Sequence, residues 1–199
     1  MMDTKMKRIL FFHIGGYYPF NKSVQDALKT GFPETEIVRV NVRELLDKDL
    51  FIKMLNTLAV FREYGLDIVT RKRYFHKSRN ATAYIHKKAK QMAAKIHEKY
   101  RADCSFQTWS LLDFSYPGCP HFVYTDRTYE SCKEEPYYGK AIWTPERTEA
   151  MISREKQIYE NAAGIFTFGN NTRRVLMEKY GISPEKIIVA GVGTNIPYD

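Results

Sequence analysis

Short runs rich in β-branched and aromatic residues recur along the chain, and longer stretches with helical periodicity separate them. A helix between two strands carries the chain back to the end it left. This alternation therefore restricts the chain to an α/β fold with a mostly parallel sheet and crossover helices. The pattern predicts strands over 8–13, 36–41, 102–107, 121–125, 164–168 and 186–190, and helices over 23–30, 42–65, 80–100, 145–163 and 172–180. Ser23 and Asp26 stand at the spacing of a capping box for the first helix. For the last helix Asn170 or Asn171 supplies an N-cap, Gly181 a stop, and Pro184 a bar to continuation. The expected architecture is a Rossmann-like three-layer sandwich over 1–190, with the turn-rich 191–199 reading as the start of an interdomain linker.

A chain of 199 residues that is 44% hydrophobic buries roughly 70% of its unfolded surface, so it needs no disulfide or metal to stay folded. Cys104, Cys119 and Cys132 agree: odd in number and without metal-ligand spacing, they read as reduced thiols of a cytoplasmic protein. Lys5 to Arg8 followed by Ile9-Leu10-Phe11-Phe12 resembles the start of a signal peptide, but His13 and Gly15-Gly16 end the apolar run too soon. No stretch approaches the ~18 uncharged residues of a membrane span.

Charge is distributed unevenly. Of the net +8, the basic excess lies between Arg71 and Arg101, where eleven Lys or Arg accompany one acid, Glu98. Within 80–100, Tyr84, Ile85, Ala89, Met92, Ala93 and Ile96 form an apolar stripe with the lysines mostly off it, which an ordinary amphipathic helix explains. The near absence of acids it does not explain. Arg71, Lys72, Arg73, Lys77, Lys87, Lys88 and Lys90 are therefore read as a surface for anionic lipid head groups, each contributing about 1 kcal/mol. Nucleic acid is the competing anion, but no recognised binding motif accompanies the charge and none is expected as partner.

Ligands of open α/β sheets bind at the carboxyl ends of the strands. There, Gly15-Gly16 follows the first strand, where backbone N–H groups can face a phosphate; the alternative is a plain strand-to-helix turn. Asp126 and Arg127 follow the fourth strand: the carboxylate suits a sugar hydroxyl and the guanidinium a phosphate, unless the two form an ion pair that only shapes the loop. Gln107, Thr108 and Ser110 surround Trp109, an aromatic of the kind that stacks on sugar faces or in cores. His13 and Thr128 complete the candidates, and His121, at the far end of its strand, reads as structural. Dinucleotide, P-loop, zinc and Ser-His-Asp patterns are absent from the sequence, so no metal or cofactor is expected.

The segment Glu155-Lys156-Gln157-Ile158-Tyr159-Glu160-Asn161-Ala162-Ala163-Gly164-Ile165-Phe166-Thr167-Phe168, followed by Thr172-Arg173-Arg174-Val175-Leu176, Tyr180-Gly181-Ile182-Ser183-Pro184-Glu185-Lys186-Ile187-Ile188-Val189 and Gly191-Val192-Gly193-Thr194-Asn195, resembles the last part of the N-terminal domain of family 4 glycosyltransferases of the GT-B fold. The Gln107-Thr108 and Tyr124-Thr125-Asp126 strand ends are similar to the same group. That resemblance implies an acceptor-side domain whose partner C-terminal domain grips a UDP- or GDP-linked sugar, with Gly15 and Gly16 approaching the diphosphate. With it the expected reaction is hexose transfer to a glycan or lipid-linked acceptor, and the strand-end residues read from the sequence take roles in it: Asp126 and Arg127 as catalytic candidates, and His13, Gln107, Thr108, Trp109 and Thr128 as acceptor contacts. Relatives often carry a histidine where Arg127 stands. Together with the odd number of cysteines and the basic patch, this leads to the expectation of a cytoplasmic enzyme, peripheral at the inner face of the membrane, that does not turn over without its C-terminal domain. The alternative is a non-catalytic Rossmann-like module that binds a nucleotide or an anionic polymer.

Overall fold

The computed structural model describes residues 6–15, 19–65, 68, 75, 78–133 and 145–191. Among them, six strands form one parallel sheet in the order β2-β1-β3-β4-β5-β6. The strands are β1 (Arg8–His13), β2 (Glu36–Asn41), β3 (Cys104–Thr108), β4 (His121–Thr125), β5 (Gly164–Thr167) and β6 (Ile187–Val189). Strand β1 pairs with β2 on one side and β3 on the other, so the chain reverses its direction of travel across the sheet between them. The α/β class and Rossmann-like arrangement are as the sequence implies.

Pleating sorts the strand residues between two faces. Leu10, Phe12 and Val40 lie on one face with Ile85, Ala89 and Ala93 of α4 (Ala83–Tyr100), joined by Val42, Leu46 and Ile52 of α2 (Val42–Lys48) and α3 (Leu50–Tyr64). Farther along the same face, Val123, Ile165 and Ile187 meet Ile158, Tyr159 and Ala162 of α6 (Pro145–Asn161) and Leu176 of α7 (Asn170–Glu178). The opposite face carries Phe106, Tyr124 and Phe166 against Val24, Ala27 and Leu28 of α1 (Pro19–Gly31). A one-turn helix, α5 (Tyr129–Cys132), follows β4.

Several helix boundaries depart from the sequence reading, three of them for an identifiable local reason. Helix α1 begins at Pro19, where the fixed φ of proline suits a first turn, so Ser23 lies inside the helix and does not cap it. Gly169, in extended conformation, is the N-cap of α7 in place of Asn170 or Asn171. The single helix expected over 42–65 is two. Asp49 adopts φ −88°, ψ 101° and its Oδ1 accepts from the Phe51 and Ile52 N–H groups, both at 3.0 Å. Local side-chain-to-backbone bonding of this kind competes with helix propagation, and hydrophobic periodicity does not register it.

Helix α4 is tied to α3 at its entry. Thr82 accepts from Ile85 N–H at 3.1 Å as N-cap and donates to Asn56 Oδ1, while Asn56 donates to the Arg79 carbonyl at 2.8 Å. Among the described residues no helix is long and apolar enough to cross a membrane.

Asp49→Ala removes the acceptor for two N–H groups and is expected to lower stability by about 1 kcal/mol, read as a shifted urea midpoint at constant slope. An unchanged midpoint would mean that the break between α2 and α3 does not depend on this cap.

Candidate functional site

A cleft of about 240 Å³ opens at the carboxyl ends of β3 and β4, lined by Trp109, Ser110, Leu111, Thr125, Asp126, Arg127, Thr128, Tyr129, Cys132 and Glu155. Its size is below the ~300 Å³ of the smallest drug-sized pockets, which suits one ring-sized group. A wider hollow of about 660 Å³ lies at the opposite ends of the strands, against Lys90, Ser115 and Asn161. Lys90 is already engaged there with Asp113 Oδ2 and Ser115 Oγ, both at 2.6 Å. The smaller cleft is at the end where open α/β sheets bind ligands.

Its shape begins with a polar relay under the sheet. His121 Nδ1 pairs with Ser105 Oγ at 2.7 Å and its Nε2 with Gln107 Oε1 at 2.8 Å. Burial pushes the His121 imidazole down to about 3, so it is neutral, with Nε2–H donating to Gln107 and Nδ1 accepting from Ser105. That fixes the Gln107 amide, whose Nε2 donates to the carbonyls of Trp109 (2.6 Å) and Leu112 (3.1 Å). The Trp109 N–H donates to the Tyr124 carbonyl at 2.8 Å. Held on both sides, Trp109 adopts φ 63°, a left-handed conformation that costs a non-glycine residue about 1–2 kcal/mol. Its indole stacks on Phe20 of α1, centroids 6.0 Å apart, and walls the cleft.

The floor is a carboxyl group. Glu155 of α6 is 2% exposed and gathers donors from four segments: Ser110 Oγ at 2.5 Å, Tyr129 N–H at 2.7 Å, Tyr159 OH at 3.0 Å and the Tyr180 hydroxyl. The Tyr180 hydroxyl in turn accepts from Glu130 N–H at 3.1 Å. Burial pushes the Glu155 carboxyl up to about 7, against the opposing pull of its hydrogen bonds.

The rim is polar. Asp126 and Arg127 form an ion pair at 3.3 Å with side chains 32% and 50% exposed. An exposed pair of this kind is worth about 0–1 kcal/mol, and Arg127 also bonds to the Cys132 side chain.

The sequence-predicted residues divide by depth. Trp109, Asp126, Arg127 and Thr128 line the cleft, although the Thr128 hydroxyl accepts from Ser131 N–H as the cap of α5. Gln107 lies beneath, fully buried in the relay, and buried Thr108 donates to Asn21 Oδ1 at 2.8 Å, joining β3 to α1. His13 is 1% exposed at the end of β1, and burial followed by the Arg39 charge lowers its pKa. Gly15 has φ 85°, and no atom lies within 4 Å of where a Cβ would stand, so backbone conformation and not crowding favours glycine there. Lys87 is exposed and Lys88 half-buried on α4, whereas Lys90 belongs to the Asp113 ion pair. Gly16, Arg71, Lys72, Arg73 and Lys77 lie outside the described residues.

Glu155 is the residue that sequence reasoning missed. Its signal was present: it falls four residues from both Met151 and Tyr159 on the buried stripe of α6, where a carboxylate needs partners. Among the described residues no group of three or more His, Cys, Asp or Glu is placed to hold a metal ion.

No protein-family model matches the sequence, and no curated protein matches it.

Because the folded protein holds the Glu155 proton more tightly than the unfolded chain, this group's stabilisation is complete below about 4.5 and is lost as pH rises through about 7. Half-buried His86 and buried His121, pushed down to about 3, act in the opposite sense, losing stability as pH falls below 6.5. Comparison with Glu155→Gln isolates the carboxyl: between pH 4.5 and the range above 7, relative stability should move in the Gln protein's favour by roughly 3 kcal/mol. A difference that does not vary with pH would contradict this assignment.

Proposed function

We propose that this chain is the acceptor-side lobe of a glycosyltransferase that moves a hexose from a nucleotide sugar to a glycan or lipid-linked acceptor. The observation that carries the reading is the cleft itself, lined by an aromatic residue, Trp109, together with a carboxylate and a guanidinium at the carboxyl ends of a parallel sheet. Sugar rings are amphipathic, with C–H faces that pack on aromatic surfaces and hydroxyls that need hydrogen bonds. Trp109 supplies the first and Asp126 the second.

In this reading Asp126 accepts the hydrogen of the acceptor hydroxyl, and Arg127 faces the departing diphosphate. The new bond joins the acceptor oxygen to the sugar's anomeric carbon as the bond from that carbon to the phosphate oxygen breaks; the hydroxyl proton leaves toward Asp126 or solvent. Gly15 lies at the end of β1, across the switch point from Trp109, the position from which backbone N–H groups reach a phosphate in α/β sheets. Much of the rate in such a reaction comes from holding the two substrates in line, so a cleft whose walls are fixed by buried hydrogen bonds serves orientation. The resemblance to family 4 glycosyltransferases, dense after residue 120, supports the same reading and assigns most donor contacts to a second lobe.

The reading is tested by titrating the protein with mono- and disaccharides and with UDP- and GDP-hexoses, using Trp143→Phe protein so that fluorescence reports Trp109. Saturable quenching by at least one glycan is expected. Asp126→Asn should weaken it by about 10-fold or more, the loss of a charge-assisted hydrogen bond, with unchanged circular dichroism. Saturable binding of nucleotides or RNA with none of any sugar would favour the binding-module alternative and overturn the proposal.

A further inference from the structure

Helix α3 presents large apolar residues on two faces. Ile52 and Val60 are buried with Asn56 between them, while Leu50, Phe51, Met54 and Leu58 are 77%, 64%, 54% and 57% exposed. At 3.6 residues per turn these four fall within one arc of about 100°. Scattered apolar residues on a surface need no explanation, but a contiguous stripe marks a contact.

The charges around the stripe identify the contact. Lys53 and Arg62, both exposed, project from opposite sides of the arc. At the start of α3 lies Tyr84 of α4, close enough to Asp49 for that charge to act on its hydroxyl, and Lys88 sits over its ring at 5.8 Å. Exposed Lys87 is its neighbour. Two of the nearby acids are paired with cations within the fold, Glu44 with Lys48 at 2.8 Å and Asp47 with Arg43 and Arg79 at 3.0 and 2.8 Å, while Asp49 caps α3. An apolar centre with a cationic border is the pattern of a helix lying in the plane of an anionic bilayer surface. A second copy of the chain fits less well, because a self-complementary contact over the stripe would bring these cations against one another.

We propose that the outward face of α3 docks in the head-group layer of an anionic membrane, with Leu50, Phe51, Met54 and Leu58 in the acyl boundary and Lys53, Arg62, Lys87 and Lys88 against lipid phosphates. The membrane contact so defined is an apolar helix face with a cationic border, not a basic segment alone. It is independent of the acceptor cleft, and its test does not involve sugar binding.

Phe51→Trp places a reporter on the stripe. Its emission should shift to the blue and be quenched by brominated acyl chains in vesicles of phosphatidylcholine with phosphatidylglycerol, beyond any change in the parent protein, and not in phosphatidylcholine alone. Leu58→Ser should lower vesicle partitioning by about 10-fold, and Lys87→Ala and Lys88→Ala by about 5-fold each at low salt. Circular dichroism should be unchanged throughout, since all four side chains lie outside the core. Three results would overturn the proposal: partitioning insensitive to Leu58→Ser, equal binding to neutral vesicles, or a blue shift without lipid that tracks protein concentration in sedimentation, which would assign the stripe to self-association.

Discussion

One buried carboxyl group holds the candidate site together. Glu155 receives hydrogen bonds from the loop after β3, the start of α5, its own helix and the turn after α7. The three outside its own helix lie 25 to 45 residues from it in sequence. Removing a carboxyl from such a position strands its donors in the interior, where each unsatisfied group costs about 1–3 kcal/mol. The group therefore sets the floor of the cleft and the spacing of its walls together. Its pKa near 7 follows from the same enclosure.

The second constraint is the relay from Ser105 through His121 to Gln107, which ends on the backbone of the Trp109 turn. It uses the central strands β3 and β4, the part of the sheet least able to shift, to hold a strained residue at the cleft wall. The aromatic cluster below continues the support: Phe20 lies 5.3 Å from Tyr124 and 5.2 Å from Phe168, ring to ring. Strain of this kind persists only where the surroundings over-determine it. Here a buried amide, a backbone hydrogen bond and a stacked ring do so at one residue.

The sheet was legible in the sequence because its strands are buried runs bounded by polar ends. Val123 and Ile165 are fully buried, and Arg8–His13 and His121–Thr125 match the expected bounds without change. Helix ends were less so, since Asp49 and Pro19 act through local backbone geometry that a hydrophobic pattern does not register. At the site, the rim was readable, as Asp126, Arg127 and Trp109 follow strand ends directly. The floor was not: Glu155, Tyr159 and Tyr180 come together only through the packing of α6 and α7 on β4 and β5. Gln107 illustrates the converse, a polar residue at a strand end whose side chain turns inward to hold the loop and not outward to a ligand.

The central claim is that the Trp109–Asp126 cleft receives a sugar ring. Intermolecular nuclear Overhauser effects between a bound oligosaccharide and isotope-labelled Trp109 and Tyr129 test it most directly. Contacts from the ring protons of one sugar residue to the Trp109 indole and the Tyr129 ring are predicted. A bound oligosaccharide whose contacts fall elsewhere, with neither ring among them, would contradict it.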